Sequence, residues 1–548
     1  MTASFEKIWE TDNAPSRKWP LYTRGNVGEV FPEVVLPFTW DLIGKAAEDG
    51  WRQAFVKMGL VADGDFPDDE DMIILSVFGG YCYINASYVR ILGVRAPGGK
   101  VENIDTMFFG ESDAPRYAPR DGDKNFRTTL MLGKTLLRLL STKDLPAMEQ
   151  DKVKVDRFIA RYPGDDASND ELMAYCLSFR PFFEALFSRH IDNTFSNALV
   201  SGAMIDLVVK AGTPDLLVSI LGGIGDIESA APSAAMWKLS RLDPDSAEYA
   251  AGFDRFLAEF GTRGPNEWDI GSDPWSFRPA MATAAIDAMR PASDTHAPGA
   301  QATRLAAVRD GALAEVRGGL NRIDRFQFDK AYQATVLFSQ ARERSKTTVI
   351  KAIHAVRRAQ NTMHLRAAAG GGVDERWKSC LLNVDEFTRY LDGPTAFGGL
   401  IEERAELHGR LSSLIPPFIV DGTVPAMETW DARASTAVAL RSGDTMQGIA
   451  GCPGVARGRA RVVLDPGEPG DLGPGDVLIA PITDPSWTPL FLAAEAVVVD
   501  VGATMSHAVI VSRELGIPCV VSAVGATRSI PDGVEIEVNG DTGLVTVL

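Results

Sequence analysis

Cysteine and long apolar runs are both scarce in this sequence. Only five of its 548 residues are cysteines. No two of them have C-x-x-C spacing, so neither a disulfide framework nor a zinc site is indicated. No apolar run approaches the roughly 20 residues that a membrane-spanning helix needs, and the N-terminal segment lacks the basic and apolar regions of a secretory signal. We therefore expect a reduced, soluble, cytoplasmic chain with no membrane partner.

Positive charge is also in short supply. The chain has 55 lysine and arginine residues against 73 aspartate and glutamate residues, a formal net charge of −18. An acidic surface repels a phosphate backbone, so no nucleic acid partner is expected. The remaining composition, 45% hydrophobic and 23% charged, is typical of a folded globular protein. The length is enough for about three or four domains of ordinary size, or fewer if one is large and helical.

The pattern of apolar residues changes near residue 415. Before it, apolar positions recur at three- and four-residue spacing, which is typical of amphipathic helices, and the longest such stretch covers 328–369. Shorter helical stretches lie at 127–142, 168–190, 195–211, 248–260 and 301–318. Residues 415–447 have consecutive prolines and weak periodicity and are predicted to be a linker. Residues 448–548 alternate short Val/Ile-rich runs with Gly/Pro turns. The sequence thus predicts a multidomain protein, with a large mainly α-helical domain at 1–414 and a small α/β domain at 448–548.

A histidine stands at the predicted start of a short helix in the C-terminal domain. An apolar strand over 496–501 is followed by a helical pattern that begins at about Ser506 and that Gly516 ends. His507 therefore lies in the first turn, where unpaired backbone amides and the helix dipole favour an anion. An exposed histidine there could accept a phosphoryl group, with the hydroxyls of Thr504 and Ser506 holding the phosphate. Spacing alone leaves open the alternative that a hydroxyl only caps the helix and His507 has no chemical role.

The C-terminal domain resembles a known family. Residues 502–521, GATMSHAVIVSRELGIPCVV, resemble the phosphohistidine motif of the PEP-utilising, or dikinase-type, phosphotransferases. Three further segments match the same domain: GIAGCPGVARGRARVV, GDVLIAPITDPSWTPLF and VEIEVNGDTGLVTVL. The resemblance implies a swivelling β/β/α phosphohistidine domain in which His507 carries a phosphoryl group between two active sites. Ala503 and Val509 depart from the family's usual glycine and alanine, and both changes leave the histidine in place.

The large domain resembles the acceptor-substrate domain of the rifampicin-phosphorylating members of this family. The match begins at residues 9–43, WETDNAPSRKWPLYTRGNVGEVFPEVVLPFTWDLI. ARERSK at 341–346 is similar to the family's Arg-Glu-x-x-Lys helix, which implies that Arg342 and Lys346 stabilise the migrating phosphoryl group. The negative charge of the migrating phosphoryl group spreads over three oxygens, and a bidentate arginine and a lysine ammonium group are suited to stabilise it. The alternative for these two residues, which share one helix face, is an ordinary solvated basic stripe.

A third match in the large domain is FGTRGPNEWDIGSDPW at 260–275, which resembles a Gly-His-Arg-Gly segment of the family. Thr262 stands where the family has histidine. Arg263 and Glu267 match the family pattern. They either line the active site or form an internal ion pair that fixes a loop, and the sequence leaves both interpretations open.

No segment resembles an ATP-binding region. The family activates ATP with an ATP-grasp region, and GVRAPGGKV at 93–101 lacks the glycine spacing of a Walker loop. The resemblance therefore implies an acceptor-side subunit that works with a separate ATP-grasp subunit. That partner would bind ATP and Mg²⁺ and place the β-phosphoryl group on His507, releasing AMP and phosphate. No metal site is expected on this chain, because its other five histidines lack metal-ligand spacing: His190, His296, His354, His364 and His408.

The expected acceptor is a small phenol, of the phenol or 4-cresol type, as in family members that are split into two components. A phenol ionises at a pKa of about 10, more easily than an alcohol. Candidate pocket aromatics, most of them core residues by their helical spacing, are Phe38, Trp40, Tyr81, Tyr83, Phe179, Phe182 and Phe183. The sequence leaves two alternative functions open: a rifampicin-type enzyme that phosphorylates a bulky antibiotic, and a non-catalytic phosphocarrier or regulatory module. One of the other histidines could act as general base, and the sequence does not select among them.

Overall fold

The computed structural model describes residues 7–67, 69–96, 99–109, 114–225, 228, 231–294, 297–433, 438–502 and 506–548. Its helices are α1 Val27–Val30, α2 Pro37–Met58, α3 Ala86–Arg95, α4 Val101–Phe109, α5 Phe126–Ser141, α6 Pro146–Ala160, α7 Asn169–Lys210, α8 Leu217–Leu221, α9 Ala231–Ser240, α10 Ala247–Phe260, α11 Pro279–Met289, α12 Pro298–Gly319, α13 Arg322–Ala369, α14 Arg376–Ser379, α15 Val384–Asp392, α16 Gly398–Ser412, α17 Thr488–Phe491, α18 His507–Leu515 and α19 Ala526–Ser529. Its strands are β1 Leu21–Thr23, β2 Leu75–Phe78, β3 Tyr81–Asn85, β4 Ile419–Asp421, β5 Thr445–Gln447, β6 Ile449–Cys452, β7 Val455–Val462, β8 Asp476–Ala480, β9 Ala496–Val499, β10 Cys519–Val521, β11 Glu535–Asn539 and β12 Leu544–Val547. Of the helices described, none is both long enough and apolar enough to cross a membrane.

Two long helices form the centre of the large domain. The sequence predicts separate helices over 168–190 and 195–211, but the structure has one, α7, of 42 residues. Ile191 and Asn193, which lie between the two predicted stretches, are both buried and continue the inward face, so nothing interrupts the helix. α13 is 48 residues long and its C-terminal cap is Gly370, as the sequence predicts. α7 packs against both α13 and α2, and these three helices supply much of the wall of the cavity described below.

A small antiparallel sheet accompanies these helices, with the strand order β2-β3-β1-β4. β4 comes from the segment that the sequence predicts to be a linker, and it pairs with all three residues of β1. Trp430, from the same segment, packs so closely on Gly79 that a Cβ there would lie 2.3 Å from the indole ring. The first half of the predicted linker is therefore part of the large domain, because its backbone and its tryptophan are satisfied there.

The C-terminal domain is built on a mixed sheet of eight strands in the order β5-β12-β11-β7-β8-β9-β10-β6. The four strands β7, β8, β9 and β10 are parallel, and the remaining pairings are antiparallel. The prediction of a multidomain chain with a mainly helical part and a C-terminal α/β domain is confirmed. Because the central strands are parallel, the connections that follow β8 and β9 leave the sheet at one edge.

The apolar core of the C-terminal domain continues into the large domain. Leu490 and Phe491 of α17 belong to the same buried cluster as Met281 and Ile286 of α11. Contacts between α18 and α12 extend this junction. Burial of the shared apolar surface favours contact between the two parts, and it places the start of α18 against the large domain.

Candidate active site

His507 is the first residue of α18, as the sequence predicts. The buried Ser506 hydroxyl accepts a hydrogen bond from the backbone N–H of Val509 at 3.4 Å and so caps the helix. Gly516 ends the helix with a φ of 66°, a left-handed conformation that glycine adopts without strain. Thr504, which the sequence pairs with Ser506 for phosphate binding, lies outside the described residues. Phosphate binding by Ser506 stays a prediction.

Two threonine hydroxyls contact the His507 ring, one at each nitrogen. Nδ1 lies 3.2 Å from Oγ1 of Thr483, and Nε2 lies 3.1 Å from Oγ1 of Thr488. Both threonines follow β8, while His507 follows β9. Since β8 and β9 are parallel neighbours, their carboxyl ends bring these residues together. Sequence reasoning missed both threonines, although a hydroxyl-rich segment after a buried strand was the available signal.

The start of α18 faces the large domain, which corrects the expectation of an exposed histidine. His507 is half-buried, and its backbone N–H donates a hydrogen bond to Oε2 of Glu29 at 3.1 Å. In a second, separate hydrogen bond, the backbone N–H of Asn266 donates to Oδ2 of Asp484 at 2.9 Å. Each hydrogen bond joins the C-terminal domain to the large domain. Sequence reasoning missed Glu29, because nothing local links it to the histidine.

A cavity of about 160 Å³ lies at this junction, enclosed by α2, α7 and α13 and by the start of α18. Its wall is largely apolar, and the aromatic side chains include Phe31, Trp40, Trp51, Phe183, Phe187 and Trp268. The polar wall residues that bear on the chemistry are Glu29, His190, Arg342, Glu343, Lys346 and His507. The site is thus an apolar pocket with a small set of ionisable groups, the usual composition of a small-molecule site.

Arg342 and Lys346 lie one turn apart on α13 and both line this cavity. Their side chains retain only 21% and 22% exposure, so they face the cavity more than bulk solvent. Nζ of Lys346 lies 3.2 Å from Oε1 of Glu267, and Nε of Arg342 lies 3.8 Å from Oε1 of Glu343. Two cations of the large domain therefore share one cavity with His507. Their catalytic role stays a prediction.

Arg263 and Glu267 form a buried ion pair beside the cavity. Nε of Arg263 lies 2.6 Å from Oε2 of Glu267, and its Nη2 donates to Oε1 at 3.2 Å. The structure thus has the internal ion pair, one of the two arrangements left open by the sequence. Further along α13, the buried Arg357 donates to the carbonyl oxygens of Glu267 and Asp269. These bonds fix the loop that carries Trp268 into the cavity wall.

Burial and nearby cations set the protonation state of the site. Burial, together with Lys346, Arg263 and Arg342, holds the pKa of His507 well below its usual value. The imidazole is therefore neutral near pH 7, with a nitrogen lone pair available. Burial raises the pKa of Glu29 to about 7, although the His507 amide, Lys346 and Arg342 favour its ionised form.

One of the other five histidines lies in the cavity wall. Nδ1 of His190, on α7, is 3.0 Å from Oγ of Ser345. Burial, with Arg342 and Lys346 nearby, lowers the pKa of His190 to about 3, so it is neutral and a weak base. Three others, His354, His364 and His408, lie elsewhere in the large domain, and His296 lies outside the described residues.

The acids near the cavity do not form a metal site. Within the described ranges, no three His, Cys, Asp or Glu side chains are grouped to hold a metal ion. Glu267 is occupied by Arg263 and Lys346, and Asp484 accepts from the Asn266 amide. The side chains around the cavity, within the part of the chain that the structure describes, do not fit a Mg²⁺ site.

The aromatic residues selected from the sequence divide between cavity and core. Trp40 and Phe183 line the cavity. The others lie in the core or partly buried against it: Phe38, Tyr81, Tyr83, Phe179 and Phe182. Trp51, Phe187 and Trp268 also line the cavity but were not selected. Helical spacing identifies an inward-facing aromatic residue without distinguishing a filled core from a cavity.

Comparison with protein families agrees with this geometry. Residues 472–543 match the mobile domain of PEP-utilising enzymes, and this segment contains Thr483, Thr488 and His507. Residues 189–346 match the rifampicin phosphotransferase fourth domain, a segment that ends at Lys346. The resemblance to the PEP-utilising phosphotransferases, enzymes of phosphoryl transfer, is therefore confirmed.

The relatives include rifampicin phosphotransferases. That of a Streptomyces species is 30% identical over 318 residues, which cover 56% of this chain and 35% of the relative. The prodigiosin synthesizing transferase PigC of Serratia marcescens is 30% identical over 318 residues, covering 56% and 34%. An uncharacterized protein of Mycobacterium tuberculosis is 29% identical over 384 residues, covering 68% and 39%. The chain thus spans between about a third and two fifths of the length of these relatives.

Proposed function

We propose that this chain transfers a phosphoryl group from phospho-His507 to the hydroxyl group of a small, largely apolar molecule bound in the cavity. The observation that carries the proposal is that His507, from one domain, lines the same cavity as Arg342 and Lys346, from the other. In-line phosphoryl transfer depends on positioning and on charge stabilisation. A histidine carrier opposite two cations supplies both.

The proposed transfer involves an attacking acceptor oxygen, His507 as the leaving group and a base that takes the acceptor proton. The acceptor oxygen attacks phosphorus, the P–N bond to His507 breaks, and its electron pair returns to the ring nitrogen. The surroundings that lower the pKa of His507 favour its departure as neutral imidazole. Arg342 and Lys346 stabilise the charge on the transferring oxygens, and the acceptor proton passes to a base on the protein.

We propose a phenol of the phenol or 4-cresol type as the acceptor, which yields an aryl phosphate. The support is the cavity wall, where Phe31, Trp40, Phe183 and Phe187 offer apolar ring surface. Aromatic rings prefer offset or edge-to-face contact with such side chains. A phenolic hydroxyl also loses its proton more easily than an alcohol.

A rifampicin-type acceptor is the second candidate, and the family comparison favours it. Residues 189–346, which supply Arg342 and Lys346, match a rifampicin phosphotransferase domain. This candidate requires room for a bulky molecule. It is separated from the phenol proposal by the acceptor that the chain phosphorylates, because pocket shape rather than fold sets specificity.

The phosphoryl donor completes the proposed cycle. We propose a separate ATP-grasp subunit that binds ATP and Mg²⁺, places the β-phosphoryl group on His507 and releases AMP and phosphate. The C-terminal domain would swing between that subunit and the cavity on the part of the predicted 415–447 linker that follows Trp430, because β4 and Trp430 belong to the large domain. This step rests on the confirmed resemblance to PEP-utilising enzymes.

The acceptor half-reaction can be tested without the donor. The purified chain is mixed with 4-cresyl phosphate and isotopically labelled 4-cresol, and label entering the aryl phosphate is followed. The expected result is exchange that His507→Ala abolishes while its thermal unfolding stays cooperative. A parallel assay uses rifampicin phosphate with labelled rifampicin.

Each result selects one function. Exchange of cresol that depends on His507 supports the phenolic phosphotransferase, and exchange of rifampicin alone supports the second candidate. Exchange that persists in His507→Ala contradicts the carrier role. No exchange with either acceptor by the folded chain favours the non-catalytic phosphocarrier.

A further inference from the structure

Glu29 lies where the two domains meet the cavity. It belongs to the short helix α1, lines the cavity, and accepts the backbone N–H of His507 through Oε2 at 3.1 Å. α1 approaches the C-terminal domain closely, since a Cβ at the adjacent Gly28 would lie 3.6 Å from Cδ1 of Ile482. This carboxylate is therefore held beside the phosphoryl carrier and open to the acceptor at the same time.

The ionisable groups around Glu29 come from three directions. Lys346, Arg342 and Glu343 lie on α13, His190 lies on α7, and His507 and Asp484 belong to the C-terminal domain. Burial raises the pKa of Glu29 to about 7, while the His507 amide, Lys346 and Arg342 act in the opposite sense. A carboxylate with a pKa near the working pH both takes and returns a proton efficiently.

The other candidate bases in the cavity are less suited. His190 has a pKa lowered to about 3, chiefly by burial and then by Arg342 and Lys346. Glu343 lies 3.8 Å from the guanidinium of Arg342, a cation that competes for its carboxylate. Both carboxylate oxygens of Asp484 already accept hydrogen bonds. One accepts from the backbone N–H of Asn266, and the other accepts from the backbone N–H and the hydroxyl group of Ser486.

We propose that Glu29 is the general base that removes the acceptor proton, and that the base and the phosphohistidine are brought together only when the C-terminal domain contacts the large domain. This inference rests on the proposed phenolic function. As the acceptor oxygen attacks phosphorus, its proton moves to a carboxylate oxygen of Glu29. The P–N bond electrons return to the ring nitrogen, and the protonated Glu29 releases its proton after the aryl phosphate leaves.

Glu29→Gln is the matched variant for this role. The glutamine carbonyl oxygen still accepts the His507 N–H, so the contact between the domains is kept and only the basicity is lost. Two exchange reactions are compared in the full chain at about pH 8, where 4-nitrophenol is largely ionised but 4-cresol, with a pKa of about 10, is not. One pairs 4-cresol with 4-cresyl phosphate, and the other pairs 4-nitrophenol with 4-nitrophenyl phosphate.

The expected result is a split between the two acceptors. Glu29→Gln slows cresol exchange by about 10²- to 10⁴-fold, the usual contribution of a general base. Nitrophenol exchange falls by less than about tenfold, because no proton has to be removed from the ionised acceptor. Glu29→Ala, which also loses the hydrogen bond to His507, slows both reactions.

Three results would overturn the assignment. Equal slowing of both acceptors by Glu29→Gln would make Glu29 a positioning residue only, and unchanged rates would remove it from the reaction. The same acceptor-dependent split in Glu343→Gln, without one in Glu29→Gln, would move the base to Glu343. If the wild-type chain exchanged neither phenol, the proposed function itself would fail, which is a distinct outcome.

Discussion

Nζ of Lys346 lies 3.2 Å from Oε1 of Glu267, whose other oxygen pairs with Arg263. One buried carboxylate thus serves two cations, and one of those cations faces the cavity. Burial acts to raise the pKa of Glu267, but Arg263 and Lys346 outweigh it and hold that pKa below its usual value. Glu267 therefore stays ionised and fixes the position of the Lys346 ammonium group.

Removal of that carboxylate should destabilise the protein. Glu267→Gln leaves the buried Arg263 without its counter-ion, and we expect a loss of about 3–5 kcal/mol in the free energy of unfolding. The double variant with Arg263→Met should lose less than the sum of the two single variants, because it removes the buried guanidinium that Glu267→Gln alone leaves without a counter-ion. Chemical denaturation of the four proteins measures this coupling, and additive losses would contradict it.

Loss of either cavity cation should separate the two halves of the proposed reaction. Arg342→Ala or Lys346→Ala should slow transfer to the acceptor by about 10²- to 10³-fold, the usual effect of removing one charge-stabilising group. Phosphorylation of His507 by a donor should persist in both variants. Lys351→Ala, on the same helix but outside the cavity wall, is the matched control, and the rates are compared by aryl phosphate exchange. Equal exchange rates in all four proteins would contradict a catalytic role for Arg342 and Lys346.

The two threonines at His507 should contribute separately to its chemistry. The substitutions Thr483→Val and Thr488→Val each remove one hydroxyl group while keeping the side-chain volume nearly constant. A neutral hydrogen bond contributes about 0.5–1.5 kcal/mol, so each change should slow exchange by up to about tenfold. Phosphorus NMR of the phosphorylated chain identifies the modified nitrogen. The threonine that contacts the unmodified nitrogen can still orient the His507 ring after phosphorylation. Replacing that threonine should therefore slow exchange more than replacing the threonine at the phosphorylated nitrogen. Equal effects of the two substitutions would contradict this prediction.

His354 should make the stability of the large domain depend on pH. Burial, with Arg357, Arg358 and Arg376, lowers its pKa from 6.5 to about 3. Below pH 6.5 the unfolded chain binds a proton that the folded chain does not, so stability falls as the pH falls. Relative to His354→Leu, the wild type should lose about 1.4 kcal/mol per pH unit between about pH 6 and pH 4.5. Denaturation midpoints of both proteins at several pH values check this slope, and parallel curves would contradict it.

The parts of this protein that local sequence determines are those whose signals lie within a few residues. α18 has a serine cap, an apolar face and a glycine in the left-handed conformation, so its bounds and the place of His507 follow from the sequence. The end of α13 at Gly370 follows in the same way, and the four-residue spacing of Arg342 and Lys346 puts them on one face. The break predicted within α7 was wrong, because weaker local periodicity at Ile191 was overridden by packing against α2 and α13.

Only the tertiary structure decided what surrounds His507. Thr483 and Thr488 lie 24 and 19 residues from it and reach it because parallel strands end at one edge of the sheet. Glu29 lies 478 residues away and reaches it because an apolar core joins the two domains. The lowered pKa of His507 and the raised pKa of Glu29 arise from the same burial. Desolvation of these groups depends on which surfaces, distant in sequence, come into contact in the folded chain. The periodicity or motifs of a single segment do not predict such contacts.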